Sequence, residues 1–170
     1  MNGVVASWAH YDPQTALDWA SSLTPTDSAA VKDTLVAAGK MDPQLAAQYV
    51  DKVTDANARS QAIQNISLSM SRTDPDTAMA WLDQVATGDT YDKSVVQIIA
   101  GRAYSNPTSA TDLLVQVTEP GVSDAVIANV TSSPWARINP KGAMAWLQTL
   151  PESEARNSAI QSLTEAATGK

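Results

Sequence analysis

The sequence predicts an all-α protein, an α-solenoid of about five stacked helical hairpins, and three observations predict it. First, one motif returns five times: Asp or Asn, Pro, two free positions, Ala, two free positions, then an aromatic residue or Leu. It reads DPQTALDW from Asp12, DPQLAAQY from Asp42, DPDTAMAW from Asp74, NPTSATDL from Asn106 and NPKGAMAW from Asn139. Second, the prolines Pro13, Pro43, Pro75, Pro107 and Pro140 stand 30, 32, 32 and 33 residues apart. That is a period of about 32, the length of a two-helix unit. Third, each motif opens an apolar stripe at helical spacing, and a second stripe follows after a turn.

The elements follow in order. Residues 1–11 (MNGVVASWAHY) read as the end of a helix B without its helix A. Trp8 stands five before Pro13, as Trp135 stands five before Pro140. The repeats are then 12–41, 42–73, 74–105, 106–138 and 139–170, together one helical-repeat domain. In each, the Asp or Asn is an N-cap whose side chain accepts a hydrogen bond from a free N–H of the first turn. The proline falls at the first helical position, where its fixed φ suits a helix and its missing N–H costs nothing.

In the first repeat, helix A runs from Pro13 to about Leu23. Thr24 and Pro25 break it, Thr26 or Asp27 caps helix B, and Gly39 ends that helix. In the second, Thr54 and Asp55 separate the helices. In the third, Ala78, Trp81, Leu82 and Val85 form the stripe of helix A, and Thr87 and Gly88 end it. Helix B begins after Asp89 or Thr90, presents Val95, Val96, Ile99, Ala100 and Ala103, and stops before Pro107. The fourth is the most irregular. Glu119, Pro120 and Gly121 make a turn, Ser123 caps helix B, and Ser133-Pro134 kinks or restarts it. In the fifth, Leu150-Pro151 joins the helices almost without a loop. Helix A is about eleven residues and helix B about fourteen, too short to be stable alone, so packing must hold them.

The aromatic position holds Trp19, Tyr49, Trp81, Leu113 and Trp146. All share one offset, and the expectation is that all wedge helix A against its neighbours. Arg59 and Arg156 also share an offset, sixteen after Pro43 and Pro140. They are expected to link helix B to a carbonyl or carboxylate of a neighbouring loop through a bidentate contact. Both ends of the chain cut the repeat, and the expectation is a segment of a longer array.

Composition narrows function by exclusion. The chain of 170 residues has no Cys, a net charge of −7 and a pI near 4.5. Without Cys there is no disulfide framework, thiolate metal site or cysteine nucleophile. Eleven basic residues are scattered along the chain, which argues against nucleic acid and against an anionic membrane surface. The longest apolar stretch, around Val95 to Ala100, is far too short to span a bilayer, so no membrane insertion is expected. His10 is the only histidine and has no second ligand or triad spacing around it. The five cap residues lie a whole repeat apart, too far to share an ion. No catalytic residue, metal site or cofactor is therefore assigned, and a non-enzymatic protein is expected. A surface rich in Ser, Thr, Gln, Asn and Asp leans toward a bacterial periplasm or cell envelope.

Where the copies differ is where a partner would be chosen. The solvent side of the A helices carries Asp18, Gln48, Asp51, Asp83, Asp112, Gln116 and Gln148. This acidic, amide-rich face is the candidate surface for a protein or peptide partner. Exposed Trp side chains offer an alternative, a surface for a glycan or small molecule.

The motif resembles tetratricopeptide-type helical repeats, in which a proline is followed six residues later by a Trp-like position, as in Pro13–Trp19, Pro75–Trp81 and Pro140–Trp146. The period is shorter here, and Leu23, Val85 or Leu150 stands where those repeats have a small residue. WAHYDPQTALDW and WARINPKGAMAWL are more similar to a set of bacterial repeats of the form WAxx[DN]PxxAxxW. That resemblance spans the chain. It implies a right-handed superhelix of stacked hairpins serving as an interaction scaffold, and it brings no catalytic residue.

Overall fold

A computed structural model describes residues 2–22, 28–117 and 120–168. Among them the regular structure is helical throughout, with no strand. The elements are α1 (Asn2–Trp8), α2 (Pro13–Ser21), α3 (Ser28–Met41), α4 (Pro43–Ala47), a 3₁₀ turn (Val50–Lys52), α5 (Ala56–Ser71) and α6 (Pro75–Val85). They continue as α7 (Gly88–Ser105), α8 (Pro107–Gln116), α9 (Pro120–Ser132), α10 (Pro134–Ile138), α11 (Pro140–Thr149) and α12 (Glu154–Thr168). The protein is all-α. Its contacts fall into two units, Met1–Ser94 and Val95–Lys170, with the boundary inside α7.

The motif does the same chemistry in every copy. Pro13, Pro43, Pro75, Pro107 and Pro140 are each the first residue of a helix. The preceding Asp or Asn keeps a non-helical backbone, with φ from −129° to −151°. Its side-chain oxygen accepts the N–H three residues on. The N···O distances are 3.1 Å at Thr15, 2.9 Å at Leu45, 3.0 Å at Thr77, 3.2 Å at Ser109 and 3.0 Å at Gly142. At Asp74 the Thr77 hydroxyl adds a second bond, and these bonds hold the carboxyl below the usual carboxylate range.

The core of each copy is narrower than the apolar stripe suggests. The Ala three after the proline is buried every time, as Ala16, Ala46, Ala78, Ala110 and Ala143. So is the residue seven after it: Ala20, Val50, Leu82, Leu114 and Leu147. The aromatic position splits. Trp146 and Leu113 are buried, Tyr49 and Trp81 are half-buried, and Trp19 is 38% exposed. The expectation that all five wedge into the core is corrected by helix geometry. At 3.6 residues per turn, the sixth position lies about 80° from the centre of the stripe made by the third and seventh. It is a flank, filled or left open according to what packs beside it. Trp19 instead meets Trp8 at a ring separation of 6.5 Å. Trp146 packs fully although its indole N–H has no partner among the described residues. Such burial costs about 1–3 kcal/mol, so the packing of the ring must outweigh it.

Within Met1–Ser94, α1 packs on α2 and α3, α2 on α3, α3 on α4 and α5, and α5 on α4 and α6. Within Val95–Lys170, α9 packs on α10, α11 and α12, α8 on α11, and α11 on α10 and α12. Within the two units, some second helices lie against second helices: α1 on α3, α3 on α5, and α9 on α12. Gly39 does not end a helix as expected; α3 runs through it to Met41. A Cβ at Gly39 would stand 3.2 Å from Ile66 Cγ1, so this glycine lets α3 and α5 approach.

Other boundaries shift in informative ways. Helix A of the second copy stops at Ala47 and passes into the 3₁₀ turn. Asp55 caps α5 through the Ala58 N–H at 2.7 Å. Gly88 takes a φ of 54° and opens α7, so the second helix begins before Asp89. α9 starts at Pro120, which puts Ser123 in its first turn and not at its cap. Ser133-Pro134 restarts the helix: α9 ends at Ser132, and the Ser133 hydroxyl caps α10 at Ala136 N, 3.3 Å away. The breaks expected at Leu23 to Asp27 and at Glu119 lie outside the described residues.

Truncation should follow burial and not motif membership. Trp146→Ala should destabilise by about 3–5 kcal/mol, as large core truncations do. Trp19→Ala should cost under about 1 kcal/mol, as exposed substitutions do, with Trp81→Ala between them. Urea unfolding of the three variants checks this; equal losses at Trp19 and Trp146 would contradict it.

Candidate functional site

The seven residues of the candidate face, Asp18, Gln48, Asp51, Asp83, Asp112, Gln116 and Gln148, are all exposed. Four belong to Met1–Ser94 and three to Val95–Lys170. Their chemistry is less uniform than the sequence suggests, because the structure uses several of them internally.

Asp18, on the exposed side of α2, sits in a small polar cluster. The Tyr49 hydroxyl donates to Asp18 Oδ1 at 2.6 Å, and the Gln14 amide donates to Asp18 Oδ2 at 3.2 Å. Gln14 also donates to the Tyr49 hydroxyl. The bond from Tyr49, then that from Gln14, lowers the Asp18 pKa from its ordinary 3.8. The same bond raises the Tyr49 phenol from 10.0. Tyr49 occupies the aromatic position of its copy, and its hydroxyl ties the start of the 3₁₀ turn after α4 to α2. The sequence carried one signal for this: a phenol where the four other copies have an indole or Leu, since a buried phenol hydroxyl needs a hydrogen-bond partner.

Asp51 is tied by Arg59, whose Nη2 lies 2.6 Å from Asp51 Oδ1. Arg156, at the same repeat offset, donates from Nε to the Leu147 carbonyl at 2.8 Å. Both arginines therefore reach back from the second helix to the end of the first, one to a carboxylate and one to a carbonyl. The expected bidentate geometry is not what forms. Arg59 Nε is left buried without a partner among the described residues, while the equivalent Arg156 Nε is the atom that bonds. The difference follows from the second copy, whose first helix ends early and puts a carboxylate where the fifth copy offers a main-chain oxygen.

Asp83 accepts a hydrogen bond from Tyr91, whose phenol is pushed up chiefly by burial and then by that bond. Gln116 turns its amide onto the Asp112 carbonyl at 3.2 Å. The side chains of Gln48 and Gln148 and the carboxylate of Asp112 are left facing solvent. The acidic character of the face thus rests less on Asp18, Asp51 and Asp83 than the count of carboxylates implies.

Two surface clefts lie elsewhere. One of about 510 Å³ runs between α9 and α12, lined by Ile127, Ala128, Thr131, Ala155, Ser158 and Ala159 among others. One of about 380 Å³ lies by Ser7, His10, Tyr11, Asp33, Val36 and Lys40. Neither contains a residue of the candidate face. Among the described residues, no group of three or more His, Cys, Asp or Glu side chains is placed to hold a metal ion. No helix among them is long and apolar enough to cross a membrane.

No protein-family model matches the chain, and no curated protein or solved structure is significantly similar to it.

Tyr49→Phe isolates the cluster, and its pH dependence has a definite sign. Asp18 has a lowered folded pKa, so its contribution is present above its unfolded value near 3.8 and is lost as pH falls through the folded value. Tyr49 has a raised folded pKa, so its contribution is present below 10.0 and is lost as pH rises beyond it. The stability difference between the protein and Tyr49→Phe should be flat at neutral pH and shrink at both extremes. Thermal melts from acid to alkaline pH measure it; a difference independent of pH would show that the ring's packing, not its hydroxyl, matters.

Proposed function

We propose that the protein is a non-enzymatic α-solenoid scaffold whose A-helix face holds a protein or peptide partner. One observation carries the reading. The residues shared by all copies are consumed by structure, as caps or as buried Ala, whereas the varied polar residues Asp18, Gln48, Asp51, Asp83, Asp112, Gln116 and Gln148 stay exposed. A repeat array chooses its partner by such variable positions while the shared ones hold the stack. The succession of second helices, α1 on α3 on α5 and α9 on α12, supports a stacked arrangement of about five hairpins. The free amides of Gln48 and Gln148 and the Asp112 carboxylate suit the backbone and polar side chains of an extended peptide.

A second reading has its own support. Trp19 is 38% exposed, rests against Trp8, and neighbours Asp18 in the cluster with Gln14 and Tyr49. An exposed indole beside planar polar groups is the chemistry of glycan or small-molecule capture. Titrating cell-wall glycans while following Trp fluorescence tests it, and an unchanged Trp19→Ala response would end it.

For the leading reading, a photo-crosslinking residue at Gln48 or Gln148 should yield a partner adduct in the source cell, and one at the exposed Gln97 of α7 should not. Equal adducts at all three would overturn it. A stacked array should also give a solution radius of gyration clearly above the roughly 15–16 Å of a compact domain of this length; a value at that figure would refute the open arrangement.

A further inference from the structure

We infer that Val95–Lys170 carries a second docking surface, formed by Tyr104, Trp135, Arg137, Ile138 and Lys141, whose partner is an acidic peptide segment with apolar side chains. The apolar part is a patch at the end of α7 and on α10. The Tyr104 and Trp135 rings lie 5.9 Å apart, Tyr104 is 54% exposed, and Ile138, one turn beyond Trp135, is 84% exposed. An Ile left open to this degree beside an exposed aromatic ring forfeits the burial that its neighbours gain.

Of the two cations, Arg137 sits in the last turn of α10, where the helix dipole favours it, and Lys141 goes against local preference. Lys141 stands in the first turn of α11, where the helix dipole favours anions and a cation is unfavourable. At the same position the other copies have Gln14, Gln44, Asp76 and Thr108. Their caps are Asp in the first three copies, but here the cap is the neutral Asn139. Arg137 lies four residues before Lys141. Both are exposed, and neither belongs to an ion pair among the described residues. No Asp or Glu occurs between Asp124 and Glu152, in a chain with 18 acidic residues. The elements packed against α11 carry Asp112 on α8, Asp124 on α9, and Glu154 and Glu165 on α12, and none of these forms an ion pair with Lys141 among the described residues. Thr111, beside Asp112, bonds Thr149 at the opposite end of α11 from Lys141. A local rule broken at an exposed site with no compensating contact marks a site kept for something else.

Charge complementarity selects the partner. Two cations beside three apolar side chains match a carboxylate-bearing segment with one or two apolar anchors. An anionic bilayer or nucleic acid would meet the net charge of −7 of the whole chain as repulsion. A short peptide engages the patch alone.

The test uses the full chain and a dye-labelled peptide alternating glutamate and leucine, with a lysine–leucine peptide as control, read by anisotropy at low salt. Arg137→Glu with Lys141→Glu, and separately Ile138→Asp, should each weaken the acidic peptide by about tenfold or more, the weight of a few neighbouring contacts. Lys141→Glu alone should hold or raise the melting temperature, because glutamate suits the first turn of α11, whereas Arg137→Glu should lower it slightly by removing a cation from the last turn of α10. Undiminished binding by either variant, or no binding by the unmodified protein, overturns the inference. So does preference for phosphatidylglycerol vesicles over the peptide, which would make the patch a membrane contact. Self-association that the charge reversal abolishes would make the occupant a second copy and overturn it equally.

Discussion

The interaction on which the rest depends is the bond from an Asp or Asn side chain to the N–H three residues on, with proline between them. It sets where each first helix begins, and it does so with nearly one backbone geometry in five places. A helix of five to eleven residues has little intrinsic stability. The cap satisfies a free donor and the proline fixes φ without losing a hydrogen bond. With the start fixed, the buried Ala and the apolar residue four further on must face the same way in every copy. Second helices then meet as α1 with α3, α3 with α5 and α9 with α12, and at Gly39 a Cβ would stand 3.2 Å from Ile66 Cγ1.

This arrangement explains why the sequence was legible where it was. Caps, the prolines and the helical stripes act within one or two turns, so their chemistry can be read from neighbours in the chain. The shared offset of Arg59 and Arg156 was legible too, because equivalent residues return to the same place in the hairpin. Gly39 was not. A glycine at a helix stop and a glycine at a close approach look alike in one sequence, and only the position of Ile66 tells them apart. The aromatic residues were misread for a related reason. Their spacing from the proline suggests a core position, but a residue about 80° from the centre of the stripe is buried only if a neighbour covers it. Trp146 is covered and Trp19 is not.

The candidate face was legible as exposure and not as chemistry. All seven residues face solvent, yet Asp18, Asp51 and Asp83 each hold a tertiary partner. Tyr49, Arg59 and Tyr91 are 31, eight and eight residues away from them, and nothing in the local pattern announces the pairings. The cationic patch around Ile138 was hidden in the opposite way. Arg137 and Lys141 are two of eleven basic residues that look scattered in the chain. They gain meaning only beside Tyr104, Trp135 and a stretch without carboxylates. The residues that make the five copies alike are therefore structural.

The most direct test of this is a scan of the caps. Asp12, Asp42, Asp74, Asn106 and Asn139 are each replaced by Ala, and the unfolding free energy is measured in urea. If the motif is architecture in every copy, each replacement costs about 0.5–2 kcal/mol, the range for loss of an N-cap. A copy in which the replacement leaves stability unchanged would contradict that claim, and its Asp or Asn would have to be retained for another purpose.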